Sequence, residues 1–246
     1  MTQTYRFGRQ RLAWFILFGS FFACLLLTVT VPLAIGAFVQ NATQPLDVTV
    51  QANQGTVGIN AENGPRRAVL VGEPPEEVEG VTTIQTDTTA SALVNVMPPD
   101  ADEPLAVLQI SGNSTVQVAQ ASAPRFGGSD QPYQLNLDAQ AGRVRIFLPF
   151  FEGRPVAMSL TTPHGWAEVR DPGRYTIEVG PDATQVTVQN EGAAVVAALG
   201  EELVLAPGER VEIAAGSPPR GPLDPARDLI RNGDFNQGLD NWASFA

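Results

Sequence analysis

The chain offers a single histidine, His164, to any chemistry that needs an imidazole. A Ser-His-Asp triad would have to use it as the general base. It stands in Thr162-Pro-His-Gly165, where proline and glycine are typical of a turn, so we expect an exposed turn residue. The sequence shows neither the ligand spacing of a zinc site nor the glycine spacing of a phosphate loop. We therefore predict no catalytic residue, no cofactor and no metal site.

Two acidic runs adjoin proline pairs. The first is Glu73, Glu76, Glu77 and Glu79 around Pro74-Pro75, and the second is Asp100, Asp102 and Glu103 after Pro98-Pro99. Paired carboxylates can hydrolyse glycosides, and clustered oxygens can bind calcium. An acidic run beside prolines is more often a solvated loop. We expect loops at both places, with a calcium site or catalysis as the alternatives.

Aromatic residues supply the remaining candidates for recognition. Phe147, Phe150 and Phe151 flank Pro149, and Trp166 follows His164 closely. Exposed aromatics can form a partner surface, and a tryptophan can stack on a sugar ring. Packing in the core or in loops is the simpler interpretation of both sets. The sequence leaves the two readings open.

The first structural element that the sequence predicts is marked by an apolar run. From Leu12 to Val39 the chain has no charged side chain. About 20 helical residues cross a bilayer core of about 30 Å. We predict a cytoplasmic tail over residues 1–11 and a transmembrane helix over residues 12–39. A cleavable signal peptide with a weak site at Ala34-Ile-Gly36 is the main alternative, although signal cores usually have about 7–15 apolar residues; a buried helix of a soluble core is another.

Charge predicts the orientation and excludes one class of partner. Arg6, Arg9 and Arg11 precede the apolar run, whereas all 26 acidic residues follow it together with 12 arginines. Positive residues favour the cytoplasmic side, so we expect a single-pass protein of the cell membrane whose bulk is extracytoplasmic. An acidic exterior is unsuited to nucleic acid. The sole cysteine, Cys24, lies in the apolar run, so no disulfide is expected outside.

Beyond a short polar spacer at residues 40–46, the pattern changes to period two. Alternating segments are Asp47–Val50, Ala92–Val96, Thr115–Val118, Arg143–Leu148, Tyr175–Val179, Gln185–Gln189, Glu202–Leu205 and Arg210–Ile213. Such alternation places one set of side chains in a core and the other in water. Turn signals separate them at Asp171–Gly173, Gly180–Asp182, Asn190–Gly192 and Ala206–Gly208. We predict an all-β domain over residues 47–215, an antiparallel sandwich or roll, with few helices.

The C-terminal part changes composition again. Residues 216–228 contain four prolines and are predicted to be an extended linker. A patterned segment, Leu229–Trp242, follows and stops shortly afterwards at Ala246. We expect residues 229–246 to be the truncated start of a second β module.

Several segments, taken in order, resemble the FecR-type extracytoplasmic domain of bacterial regulators. They are Gly72-Glu-Pro74, Val81–Val94, Leu137–Ile146, Leu160–Gly165, Gly173–Val179, Thr184–Gly192 and Leu205–Arg210. Tyr175 stands where that family usually has an aromatic residue. The resemblance extends over nearly all of the predicted β domain. The much shorter segment Leu229–Trp242 resembles the opening of a galactose-binding-like carbohydrate module.

The resemblance implies a membrane-anchored extracytoplasmic domain that binds a ligand or partner, takes part in signal transduction and is not an enzyme. FecR-type regulators carry a cytoplasmic segment that contacts a sigma factor, and the predicted tail before Leu12 is too short for such an element. We therefore expect no direct anti-sigma activity, although a partner membrane protein could relay a signal. The alternative is a structural or carbohydrate-binding surface protein whose C-terminal module is truncated. An enzyme is the third hypothesis.

Overall fold

A computed structural model describes residues 4–224 except Asn63, Asp100, Asp102 and Glu152. The predicted module at residues 229–246, the end of the predicted linker and two acids of the second acidic run lie outside the described residues. The described chain divides into two compact units, which are the N-terminal helix with residues 124–131 and the β strands.

The N-terminal unit is built on one helix, α1 (Thr4–Asn41), with Pro32 inside it. Its stretch Leu12–Asn41 is apolar and long enough to cross a membrane, and none of it is buried inside the protein. The hydroxyls of Thr28 and Thr30 donate to the carbonyls of Cys24 and Leu26, both at 2.8 Å, so they are satisfied within the helix. The prediction of a candidate single membrane span is confirmed.

Residues 124–131, which lie between two strands in the sequence, contact the end of α1. Gln40 bonds the loop through its side-chain amide, donating to the Gly128 carbonyl (3.2 Å) and accepting from the Asp130 N–H (3.1 Å). The Phe38 and Phe126 rings lie 5.9 Å apart. The hydroxyl of Ser129 donates to the Gln40 carbonyl at 2.8 Å. The loop thereby satisfies a carbonyl of the last helical turn, which has no partner inside a helix.

Eighteen strands follow in the described residues. They are β1 (Thr43–Pro45), β2 (Asp47–Gln54), β3 (Thr56–Ala61), β4 (Arg66–Leu70), β5 (Glu76–Val78), β6 (Thr82–Thr86), β7 (Ser91–Met97), β8 (Ala106–Ile110), β9 (Thr115–Pro124), β10 (Tyr133–Leu148), β11 (Val156–Thr162), β12 (Gly165–Val169), β13 (Gly173–Val179), β14 (Ala183–Val188), β15 (Ala194–Ala198), β16 (Glu201–Leu205), β17 (Arg210–Ala214) and β18 (Arg220–Leu223).

All of these strands except β1 belong to two sheets that share β10. Sheet 1 has the order β4-β3-β6-β9-β10-β11-β12-β15-β16. Sheet 2 has the order β5-β2-β7-β8-β10-β13-β14-β17-β18. The pairs are antiparallel except β10 with β11, which run parallel from Tyr133 and Val156. Hairpins after β10 are added alternately to the two sheets.

Strand β10 joins the sheets because it changes partners midway. Its residues 134–141 pair with β9 in sheet 1, and Gly142–Leu148 pair with β13 in sheet 2. Gly142 has a φ of 90°, and a Cβ there would come within 2.1 Å of the Ser114 hydroxyl oxygen. That hydroxyl accepts from the Arg143 N–H at 3.0 Å. Only glycine fits this bend, since an L side chain would meet both strain and a clash.

One hydrophobic core lies between the sheets. Strands such as β7 and β14 alternate buried and more exposed residues, as period two requires. Ile84, Leu137 and Ile177 are each at most 2% exposed. The prediction of a mostly antiparallel all-β domain is confirmed, and the eight alternating segments correspond to strands. The four predicted turns follow β12, β13, β14 and β16.

The structure also differs from the sequence predictions at particular elements. Strand β15 is buried at all five positions, so its sequence Ala-Val-Val-Ala-Ala does not alternate apolar and polar residues. Strand β18 lies inside the predicted linker, because Leu223 and Arg220 pair with Arg210 and Glu212 of β17. Its proline is tolerated because β18 is the last strand of sheet 2 and one of its sides needs no donors.

Candidate functional site

His164 lies in the turn between β11 and β12, but it is half-buried and hydrogen-bonded, not exposed as the sequence predicted. Its Nδ1 lies 2.9 Å from the Thr184 hydroxyl oxygen, and Thr184 is fully buried. The Thr184 hydroxyl donates to that of Thr162 (3.2 Å), which donates to the Gly165 carbonyl (2.9 Å). The Thr184 hydroxyl thus has hydrogen-bond partners on both sides, the imidazole Nδ1 and the Thr162 hydroxyl.

This chain of hydroxyls gives His164 a structural role. Thr162 belongs to sheet 1 and Thr184 to sheet 2, so the imidazole and the two threonines connect the sheets across one end of the core. An imidazole hydrogen-bonded through Nδ1 to a buried threonine gives a partner to a polar group that would otherwise be costly to bury. Turn signals in the sequence could not reveal this contact, since Thr184 is 20 residues away.

The first acidic run is only partly a loop. Glu76 and Glu77 lie in β5, and Glu76 forms an ion pair with Arg67 of β4. An open cleft of about 420 Å³ adjoins them, with Glu62 and Glu79 on its walls. Among the described residues, no three acidic, histidine or cysteine side chains come together as metal ligands. In the second run, Glu103 is exposed.

The aromatic residues after β10 separate into two environments. Phe151 packs edge-on against Tyr133, with ring centroids 6.0 Å apart, and joins the core. Phe150 is 77% exposed, the highest exposure of a large apolar side chain in the β strands and their loops. Phe147 is also exposed, and the Arg174 guanidinium lies 5.4 Å from its ring centroid. Core packing thus holds for Phe151, whereas Phe147 and Phe150 are each exposed to solvent.

Phe150 stands at the edge of an apolar cleft. The cleft has a volume of about 350 Å³ and lies between the β10–β11 loop and the β12–β13 turn. Its walls include Phe151, Val156 and Pro172, with Arg154 and Arg170 at its margin. Aromatic residues and arginines, which adjoin this cleft, are enriched at protein interfaces.

Trp166 lies on the outer face of sheet 1, in β12, and is 39% exposed. Core packing, the simpler interpretation of the sequence, does not describe it. The strands nearby carry a ladder of polar side chains. It runs from Gln134 through Gln120 (2.8 Å) and Asn136 (2.9 Å) to Ser159 (2.7 Å). Sequence reasoning missed this face because its members belong to different strands and meet only through strand register.

Comparisons with known proteins give distant likenesses. No family model and no curated protein matches the chain. Two crystal structures from Parabacteroides distasonis ATCC 8503, each described as a "putative anti-sigma factor", are similar to it. One is 16% identical with a TM-score of 0.41 over 57% of this chain and 60% of that chain. The other is 14% identical with a TM-score of 0.40 over 56% and 59%. The chain spans less than two thirds of their length, and at this TM-score the function must be argued from the residues.

Proposed function

We propose that this protein is a single-pass membrane protein whose FecR-like β domain lies outside the cytoplasm and binds a protein partner in signal transduction. The observation that carries the partner-binding role is the exposure of Phe150 beside an apolar cleft. A phenylalanine left 77% in water contributes nothing to the core, and a partner that covers it gains the hydrophobic free energy of that surface.

The chemistry of the cleft favours a protein segment with an apolar anchor residue. The cleft walls are mostly apolar, and arginines lie at the margin. A partner side chain inserted beside Phe150 would be desolvated between Phe151 and Pro172, which is the arrangement of an interface hot spot. Nucleic acid is disfavoured, because the chain carries 26 acidic residues against 15 basic ones.

Two features support membrane attachment with an outward domain. Helix α1 presents an apolar stretch of 30 residues, none of which is buried inside the protein. The arginines that precede this stretch favour a cytoplasmic N-terminus.

We propose a non-catalytic role. The sole histidine uses Nδ1 to bond a buried threonine, so it is held as part of the fold and is not aimed at a nucleophile. In the first acidic run, Glu76 is paired with Arg67.

Site-specific crosslinking tests the partner surface. A photoreactive phenylalanine analogue replaces Phe150 in the full chain, in cells of the source organism, and the control position is Leu199, which is 71% exposed on a turn. We expect a discrete crosslinked protein from position 150 that is absent at position 199. The Arg154→Glu variant, which reverses a charge at the cleft margin, should weaken the same crosslink. Equal crosslinking at both positions, or none at position 150, would refute the proposal.

A further inference from the structure

The outer face of sheet 1 carries a second surface that the proposed function does not use. Trp166 lies there with β15 and β16 on one side and six strands on the other. Large aromatic residues on the outer face of a sheet expose an apolar surface to water, which costs free energy unless something covers it. No described contact of the fold explains why a tryptophan stands at this position.

Strand register places Trp166 in a row that crosses six strands. The row consists of Gln117, Asp138, Thr161, Trp166, Ala197 and Glu202. Neighbouring strands lie about 4.8 Å apart, so these side chains follow one another at that interval. An amide and a carboxylate precede the aromatic ring in the row, and a second carboxylate follows it.

The residue next to Trp166 in the row, Ala197, has a small side chain. Ala197 faces outward between Trp166 and Glu202, yet it is only 3% exposed. An outward alanine is hidden to this degree only when larger neighbours lie over it. Trp166 and Glu202 are the larger residues that flank Ala197 in the row, and 39% of Trp166 stays exposed to solvent.

This set of groups matches the chemistry of sugars. A pyranose ring with equatorial hydroxyls has a face of C–H bonds, which carry partial positive charge and are attracted to the negative face of an indole. Its hydroxyls lie around the rim, where amides can donate and accept and carboxylates can accept. The polar ladder of Gln120, Asn136 and Ser159 supplies further amides and hydroxyls on the same face.

We infer that the outer face of sheet 1 around Trp166 is a binding platform for a neutral, β-1,4-linked polysaccharide. Such a chain is flat and its sugar units are about as long as the spacing between strands, so successive rings can lie over successive strands of the row. Trp166 and the other members of the row do not line the proposed protein-binding cleft.

Charge selects a neutral ligand. Asp138, Glu168 and Glu202 all lie on this face, and Arg170, the nearby cation, is paired with Glu168 at 3.3 Å. A uronic acid or a sulfated sugar would meet these carboxylates with its own negative charge. Like charges at close range disfavour binding.

Isothermal titration calorimetry tests the platform. The full chain is held in a phosphocholine detergent, which has no sugar headgroup, and is titrated with cellohexaose and with chitohexaose. We expect saturable binding of at least one of them. Trp166→Ala should weaken this binding about tenfold or more, and Trp166→Phe, which keeps a smaller ring, should weaken it less. The α-1,6-linked glucan dextran, whose chain is not flat, should not bind.

Controls keep the result interpretable. Leu70→Ala removes another exposed apolar side chain, from β4 of the same sheet, and should leave the affinity unchanged. The melting temperature of each variant shows that it is folded. The inference is overturned if neither hexasaccharide binds at millimolar concentration, if Trp166→Ala binds as tightly as the unaltered chain, or if the anionic polygalacturonate binds more tightly than both neutral sugars.

Discussion

At the residue scale, Tyr175 shows how one buried hydroxyl organises a corner of the β domain. The side chain is 1% exposed at the start of β13, and its hydroxyl donates to the Asp171 carbonyl at 2.5 Å. The same oxygen accepts from the Ala193 N–H at 3.2 Å. A Cβ on Gly192 would come within 2.0 Å of the hydroxyl, so this glycine leaves room for it. The tyrosine thus ties two turns together.

Removing only that hydroxyl should destabilise the domain. In Tyr175→Phe the Asp171 carbonyl and the Ala193 N–H lose this partner, and we expect a loss of about 1–3 kcal/mol in the free energy of unfolding. Urea titration of the full chain in detergent measures it. Tyr133→Phe is the matched control, because the Tyr133 hydroxyl makes no hydrogen bond among the described residues, and its loss should be under about 0.5 kcal/mol. Equal losses would contradict the account.

The same tyrosine predicts a pH dependence. Burial raises the pKa of Tyr175, and the nearby Asp171 carboxylate adds to the increase. The unfolded chain ionises near pH 10, whereas the folded chain keeps the proton to higher pH. The stability that depends on the neutral hydroxyl is therefore complete below about pH 10 and is lost as the pH rises above it. The free energy of unfolding of Tyr175→Phe, measured by urea titration, should fall less steeply between about pH 9 and 11 than that of the unaltered chain.

At the element scale, the bend of β10 decides whether two sheets can share one strand. Alanine at Gly142 would meet the Ser114 hydroxyl and would also occupy a φ of 90°. We expect Gly142→Ala to cost roughly 2–5 kcal/mol, as the sum of backbone strain and overpacking. Gly200 has a φ of 83° with open space around it, so Gly200→Ala should show the backbone part alone, about 1–2 kcal/mol. Similar losses in the two variants would mean that the contact with Ser114 is unimportant.

The loop at the end of α1 gives a second prediction at this scale. Gln40→Ala removes the bonds to the Gly128 carbonyl and the Asp130 N–H. Amide hydrogen exchange in residues 124–131 should become about fivefold faster, the equivalent of one net hydrogen bond of about 1 kcal/mol. Asn41→Ala is the control, because the Asn41 side chain bonds Ala37 inside the helix. Unchanged exchange in Gln40→Ala would show that the loop is held by other contacts.

The elements differ in how well the sequence predicts them, and the differences have physical causes. The sequence predicts the membrane helix because its apolar run is long and uninterrupted. It predicts the alternating strands because a strand buried on one face has apolar residues at every second position. Strand β15 has both faces covered, so it carries no such period. Strand β4 is an edge strand with one buried residue of five, too few for a pattern.

The candidate surfaces were less predictable than the elements. Phe150 and Trp166 were recognised as candidates by residue type, but their exposure depends on which strand faces outward and which loop turns away from the core. The environment of His164 depends on Thr184, which another sheet supplies. Contacts of this kind depend on long-range packing, which no local window of sequence contains.

At the scale of the whole molecule, the proposed function depends on the side of the membrane on which the β domain lies. Helix α1 supplies a stretch long and apolar enough to span a bilayer. The three preceding arginines and the acidic remainder predict that the domain faces outward. Both the partner cleft at Phe150 and the platform at Trp166 would then be presented outside the cytoplasm.

Labelling of single cysteines tests most directly on which side of the membrane the β domain lies. The native cysteine is removed by Cys24→Ser, and a new one is placed either on β16 by Glu201→Cys or near the N-terminus by Thr2→Cys. A membrane-impermeant maleimide is applied to intact spheroplasts. We predict that the Glu201→Cys protein is labelled at once, whereas Thr2→Cys is labelled only after the membrane is permeabilised, and that both proteins keep their full mass. Labelling of Thr2→Cys alone, or loss of the N-terminal segment from the mature protein, would contradict the account.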